Sequence, residues 1–305
     1  MHPVLFEFPL LGFPVRSFGV LVALGFILGM HIWGRLTRRY GFDPAGDEVR
    51  VSAVAMWVLF GVIGGGRAFY VIVEMLRYQA SGDVASAGYQ YIHEPLSILK
   101  VWQGGLVMYG GFFGAMLLGL YGARKHKLHL RNTLDTGLVA GFFGQCIGRI
   151  GCLLVGDDFG RVVPLGKEGL PFPITVKVPS LEWLAANPES LFPEQLAGQT
   201  LWCTQLWMSF NALMLGLIGL WLLKRRKYFG QSTLVLLVLY AITRFTIESF
   251  RGDSLRGLWF DETLSTSQVI SIVGGLAALV LPALNRKRRD TFPKPKSDLF
   301  TVPPK

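Results

Sequence analysis

Among the charged side chains that interrupt or border long apolar runs are Arg67, Arg149, Arg244, Glu248 and Arg251. A charge inside a bilayer costs several kcal/mol unless it is paired or faces water, so each is a candidate for chemistry. The bland alternative is snorkelling to the outer interface. Arg244 and Glu248 are one helical turn apart and can touch. That pairing leaves Arg67 and Arg149 in excess, and surplus positive charge in a desolvated cavity calls for an anion. The planar guanidinium fork donates two hydrogen bonds at once to phosphate. The anion implied is one that reaches this depth from the bilayer, such as a phospholipid headgroup.

Helices must position these residues, because lipid offers no partner for backbone N–H and C=O. The chain has 305 residues, is 51% hydrophobic and only 16% charged, which marks a polytopic membrane protein and one bundle rather than several domains. Seven runs approach the ~20 residues needed to cross a bilayer: about 16–34, 51–73, 104–123, 133–155, 201–223, 231–250 and 265–284. The basic clusters at Arg35 to Arg50, Arg124 to Arg131, Lys224 to Lys227 and beyond Arg286 follow runs one, three, five and seven. The positive-inside rule then places the N-terminus outside and the C-terminus in the cytoplasm. The expected fold is an all-α membrane domain over 16–284. It carries a proline-rich outer cap at 156–200, an outer interfacial arm at 1–15 and a basic cytoplasmic tail at 285–305. The net charge of +10 is explained by these clusters, so no nucleic-acid partner is implied.

At 1.5 Å per residue, offsets along these runs become depths. Arg67 and Arg149 both stand about 24 Å above the inner side, Arg244 near ~20 Å and Glu248 near ~26 Å. Tyr109, Gln205 and Gln268 stand a few residues below the outer ends of their runs. Six of the seven runs therefore carry a polar side chain in the outer part of the membrane, and a shared cavity is expected there. Asp157 and Asp158 read either as solvated residues at a helix end or, for Asp157, as a partner holding Arg149 or Arg161. Cys146, Cys152 and Cys203 lie in apolar segments, an odd set with neither a disulfide framework nor metal-ligand spacing. Gly61 and Gly65, Gly110 and Gly114, Gly137 and Gly141, and Gly144 and Gly148 are four apart, a spacing that lets helix backbones approach.

Several stretches together resemble the phosphatidylglycerol–prolipoprotein diacylglyceryl transferases. They are "RSFGVLVALGF" from Arg16, "GGGRAFYVI" from Gly64, "WQGGLVMYGGFFGA" from Trp102 and "GRIGCLLVGDDFGR" from Gly148. They continue through "TQLW" from Thr204, "YAITRFTIESFRGD" from Tyr240, "RG" at Arg256 and "LSTSQVISI" from Leu264. The resemblance covers nearly the whole chain. It implies an enzyme of the bacterial inner membrane, active at its outer face, that moves the diacylglyceryl group of phosphatidylglycerol to the lipobox cysteine of a preprolipoprotein signal peptide. It implies no metal and no organic cofactor. By this resemblance Arg149 and Arg244 are the essential arginines, Glu248 their acid and Arg251 the arginine that follows. The position often held by histidine is Tyr109, expected to move a proton or to orient lipid. Positions often held by asparagine, asparagine and glutamate are Cys152, Val155 and Asp157. With Arg67, Gln205, Asp157, Arg251 and Gln268, the two arginines complete the expected phosphatidylglycerol site. A divergent paralogue, or an anion- or lipid-binding transporter, is the competing class. Against a transporter stand the missing internal repeat and the nearly bare inner halves of the runs.

Overall fold

The computed structural model describes residues 1–8, 13–41, 43–101, 104–164, 166, 169–252, 258–259 and 264–284. Helix covers each of the seven apolar runs: α1 (Ser17–Tyr40), α2 (Pro44–Ser81), α4 (Met108–Lys125), α5 (Leu130–Val155), α7 (Thr204–Arg225), α8 (Gln231–Glu248) and α9 (Thr266–Leu284). Two short helices, α3 (Ala87–His93) and α6 (Leu181–Ala186), join them. Three two-stranded antiparallel ladders complete the fold: β1 (Val4–Phe8) with β2 (Phe13–Arg16), β3 (Thr175–Lys177) with β4 (Thr200–Trp202), and β5 (Leu258–Trp259) with β6 (Leu264–Ser265). Among the described residues, α1, α2, α5 and α7 are long and apolar enough to cross a membrane. The chain is a helical, polytopic membrane protein.

Helix α2 runs well past the apolar stretch 51–73 at both ends. Asp43 caps its start ahead of Pro44, and Gly82, at φ 69°, closes its end with its N–H on the Tyr78 carbonyl. Apolarity marks the part of a helix suited to lipid, while caps decide where the helix stops.

The chain divides into two compact units, Gly34–Thr133 and the remainder. In the first, α2 packs on α4 through Gly61, Gly65, Gly110 and Gly114. A Cβ on Gly61 would collide with the Gly114 carbonyl, and one on Gly65 with the Gly110 carbonyl. These small residues therefore set the distance between the two backbones. The pairs on α5 behave differently. Gly144 meets Gly25 of α1 and Gly137 meets the Trp33 ring, whereas Gly141 and Gly148 have open space.

In the second unit, the segment between α5 and α7 has a small core of its own. Phe159, Val178, Leu184, Phe192 and Leu201 are buried together, with Met1 and Trp183 packed against them. At the other ends of the helices, Asp135 on α5 is fully buried. It accepts hydrogen bonds from Arg226 Nη1 (2.9 Å), Gly230 N (2.8 Å), Thr233 N (2.7 Å) and Thr233 Oγ1 (2.7 Å). One carboxylate thus pins the α7–α8 turn and the start of α8 to α5.

Candidate functional site

Arg149 lies in the penultimate turn of α5. That helix ends at Gly156, whose φ of 82° is open to glycine but costly for side-chain-bearing residues. The N–H groups of Gly156 and Asp157 both return to the Cys152 carbonyl, at 3.0 and 2.9 Å, closing the helix. Asp158 is also left-handed, at φ 54°, a conformation aspartate tolerates better than bulky residues. Its N–H donates to Asp157 Oδ1 at 2.9 Å. Two reversals in three residues turn the Asp158 side chain back to Arg149, with which it forms an ion pair.

The first residues of α7 hold this turn in place. Thr204 Oγ1 donates to the Asp158 carbonyl (2.8 Å), and Gln205 Nε2 donates to the Asp157 carbonyl (2.9 Å). The segment after Asp158 runs beside β4 and beside the end of α8: Gly160 N donates to Trp202 O (3.1 Å), and Arg161 N to Phe250 O (2.8 Å). Gly160 lies so close to the Trp202 carbonyl that a Cβ would overlap it. This tie brings Arg251 to the same place.

The result is a string of alternating charges. Asp158 joins Arg149 to Arg251, the latter at 2.5 Å. Arg251 reaches Glu248 at 3.6 Å, and Glu248 lies 2.9 Å from Arg244. Three guanidiniums and two carboxylates alternate along this string, and the Asp157 carboxylate stands within 4.8 Å of that of Asp158. Glu248 is 1% exposed, and neither of its oxygens receives a directed hydrogen bond, so its ties to Arg244 and Arg251 are ionic rather than directional. Arg244 also donates to Ser267 Oγ (3.1 Å) and approaches Met208 Sδ (3.8 Å). The Arg149 Nη1 that meets Asp158 lies 4.0 Å from Cys152 Sγ, while its Nε and Nη2 have no partner among the described residues. Burial opposes ionisation of Asp158, but the Arg149 and Arg251 charges outweigh it and hold its carboxyl below the usual range.

The remaining expected residues serve the backbone or belong to the other compact unit. Gln268 forms a capping box with Ser265: Ser265 N donates to Gln268 Oε1 (2.9 Å), and Gln268 N to Ser265 Oγ (3.2 Å). Its Nε2 donates to Ser249 Oγ at 3.3 Å. Arg67 and Tyr109 belong to the first unit. Arg67 is 5% exposed, and each of its three nitrogens donates to main-chain carbonyls: Ile98 (2.8 Å), Gly104 (2.8 Å), Gly105 (3.3 Å) and Ser97 (3.1 Å). Gly104 and Gly105 have φ of 90° and 74°, and the Tyr70 and Tyr91 rings flank the guanidinium. Tyr109 is half-buried, and its hydroxyl has no partner among the described residues. Trp102, Asp253 and Arg256, from the quoted stretches, and the tail 285–305 lie outside the described residues.

Sequence reasoning did not single out Tyr240. It stands one turn below Arg244 on α8, accepts a weak hydrogen bond from Gln145 Nε2 (3.5 Å) and lies within electrostatic reach of Arg149 and Arg244. Its four-residue spacing from Arg244 was the available signal. Cys152, Asp157 and Asp158 place possible ligand atoms within 4.8 Å of one another. Both Asp158 oxygens are already engaged by guanidiniums, which argues against a cation there.

Long apolar helices with a cluster of three arginines and their carboxylates at the ends of α5 and α8 define the class as a helical membrane protein with a polar site. Residues 3–284 match the family model for prolipoprotein diacylglyceryl transferase, and the chain belongs to that family. It is 29% identical to the phosphatidylglycerol–prolipoprotein diacylglyceryl transferase of Geobacter sulfurreducens over 95% of this chain and 97% of the relative. It is 27% identical to the enzyme of that name from Pasteurella multocida over 94% and 95%, and 32% identical to that of Wolbachia pipientis over 70% and 71%.

Proposed function

We propose that this protein transfers the diacylglyceryl group of phosphatidylglycerol to the lipobox cysteine of a preprolipoprotein signal peptide, at the outer face of the bacterial inner membrane. The observation that carries this is the string from Arg149 to Arg244, which gathers three guanidiniums at one place, with Nε and Nη2 of Arg149 unpartnered among the described residues. Family membership supplies the reaction class.

In this reading all seven apolar helices cross the membrane, with the N-terminus outside. Residues 156–200 form a cap, 1–15 an interfacial arm and 285–305 a cytoplasmic tail. The peptide thiolate attacks the glyceryl carbon that bears the phosphate. A carbon–sulfur bond forms as the carbon–oxygen bond breaks, and glycerol phosphate departs with the electron pair. A free thiol has a pKa near ~8.5, so its proton must be removed or its anion favoured by the positive field. Tyr109 is the candidate to take part in that transfer or to orient the lipid. Arg149 and Arg244 stabilise the charge growing on the leaving phosphate, an effect that costs ~10²–10³ in rate when one donor is removed. Arg251 and Asp157 stand at the mouth of this site. Gln205 supports it by holding the Asp157 carbonyl, Gln268 by capping α9, and Arg67 enters as the residue that shapes the 97–105 loop. The transporter alternative gains no support, since the family model and the curated relatives carry the transferase name.

The test is transfer of labelled diacylglycerol to a lipobox peptide in phosphatidylglycerol vesicles. Wild-type protein should label the peptide at its cysteine, and Arg149→Ala should lower the rate by ~10²–10³. Absence of labelling by the wild type, with anion uptake into the vesicles, would replace the enzyme with a transporter.

A further inference from the structure

The acid that meets Arg149 is Asp158, not its neighbour Asp157, which the family pattern points to. Asp157 contributes its carbonyl to Gln205 and its carboxylate to the N–H of Asp158. Asp158 instead spends each carboxylate oxygen on a different guanidinium, Oδ2 on Arg149 and Oδ1 on Arg251. It is anchored from behind by Thr204 on its carbonyl, in a left-handed backbone conformation.

An arginine held at one terminal nitrogen keeps fewer orientations, because the guanidinium moves as one rigid plane. With Nη1 held by Asp158, Arg149 Nε and Nη2 are restricted in direction and have no partner among the described residues. We infer that Asp158 is the positioning residue of this site, a resident carboxylate that sets the planes of Arg149 and Arg251 for the phosphate of an anionic diacyl lipid. This rests on the lipid reading given above. Asp158 touches no reacting atom; it acts through the arginines. It also offsets their charge, so that a headgroup phosphate is held without being gripped so tightly that the product phosphate cannot leave. Its carboxyl, held below the ordinary range, stays ionised through the neutral region and keeps both contacts there.

The two roles make opposite demands on binding and turnover, which gives a test that a merely structural residue would not satisfy. The full-length wild type, Asp158→Asn and Asp158→Glu are compared for transfer to a lipobox peptide in phosphatidylglycerol vesicles. Binding of fluorescent phosphatidylglycerol to the same proteins in detergent is measured in parallel. Asp158→Asn should lower kcat about 10- to 100-fold, because a misplaced donor loses its hold on the transition state. The same variant should bind phosphatidylglycerol more tightly, with KM about fivefold lower, because an offsetting charge has gone. Asp158→Glu should restore part of kcat. A kcat within threefold of wild type, or a kcat loss with unchanged lipid affinity, overturns the assignment. So does loss of folded protein in both variants, which would make Asp158 structural. A wild type that binds lipid but transfers nothing would sink the proposed activity alone, since the affinity comparison still decides the role of Asp158.

Discussion

Arg67 offers the sharpest contrast between two roles for one intramembrane charge. If it were a headgroup ligand, its removal would weaken lipid binding and leave the fold alone. Its surroundings predict the reverse. The guanidinium donates to four carbonyls, of Ser97, Ile98, Gly104 and Gly105, and lies 5.6 and 5.2 Å from the Tyr70 and Tyr91 ring centres. In Arg67→Met those carbonyls lose their donor in a site that is nearly closed to water. Hydrogen bonds to a charged group contribute ~1.5–3 kcal/mol each, but they share one cation and do not add. The relevant scale is the loss of one partner from a buried charged arrangement, about 3–5 kcal/mol. A change of 1 kcal/mol moves Tm by ~2–4 °C in a domain of 150–250 residues, so a fall of roughly 6–20 °C is expected. Thermal unfolding in detergent micelles measures it, and limited proteolysis should show earlier cutting near residues 97–105. Arg67→Lys should recover little, because a single ammonium cannot reach four carbonyls spread around a planar fork. An unchanged Tm in Arg67→Met together with lost phosphatidylglycerol binding would refute this reasoning and return Arg67 to the headgroup site.

Asp135→Asn leaves Arg226 buried beside a neutral amide and weakens the anchor on Gly230 and Thr233. A loss of about 3–5 kcal/mol is expected, read as a Tm drop in micelles, with proteolysis appearing at the turn 226–230. The pH dependence of stability reports on Asp158. Its folded pKa is depressed, so its contribution is present above the ordinary carboxylate pKa of ~3.9 and is lost as pH falls through the folded value. The Tm difference between wild type and Asp158→Asn should therefore be constant from about pH 5 to 8 and shrink below about pH 4.

Much of the frame could be read from residue order alone. Apolar run length located all seven long helices, because the requirement for internal backbone hydrogen bonding leaves one solution in lipid. The four-residue spacing of Arg244 and Glu248 gave their pairing, seen at 2.9 Å, because helix geometry fixes which side chains meet. The sequence Ser265–Gln268 was legible as a capping box, yet its depth made it resemble a site residue.

What the sequence by itself determined is therefore local and periodic: the helices, their small-residue contacts between α2 and α4, and the pairing of Arg244 with Glu248. Its match to a known family came from motif order over the whole chain. Only the tertiary structure decided how those charges are used. Arg67 and Arg149 look alike in sequence, each a lone arginine in a glycine-rich apolar run. One is enclosed by carbonyls from a loop 30 to 38 residues away, the other meets a carboxylate turned back by two left-handed residues. Asp135 and Arg226, 91 residues apart, gave no sign of each other at all. The physical reason is common to all three. A guanidinium's role is set by the acceptors within about 3 Å of it, and the chain brings those acceptors from segments whose separation no periodicity encodes.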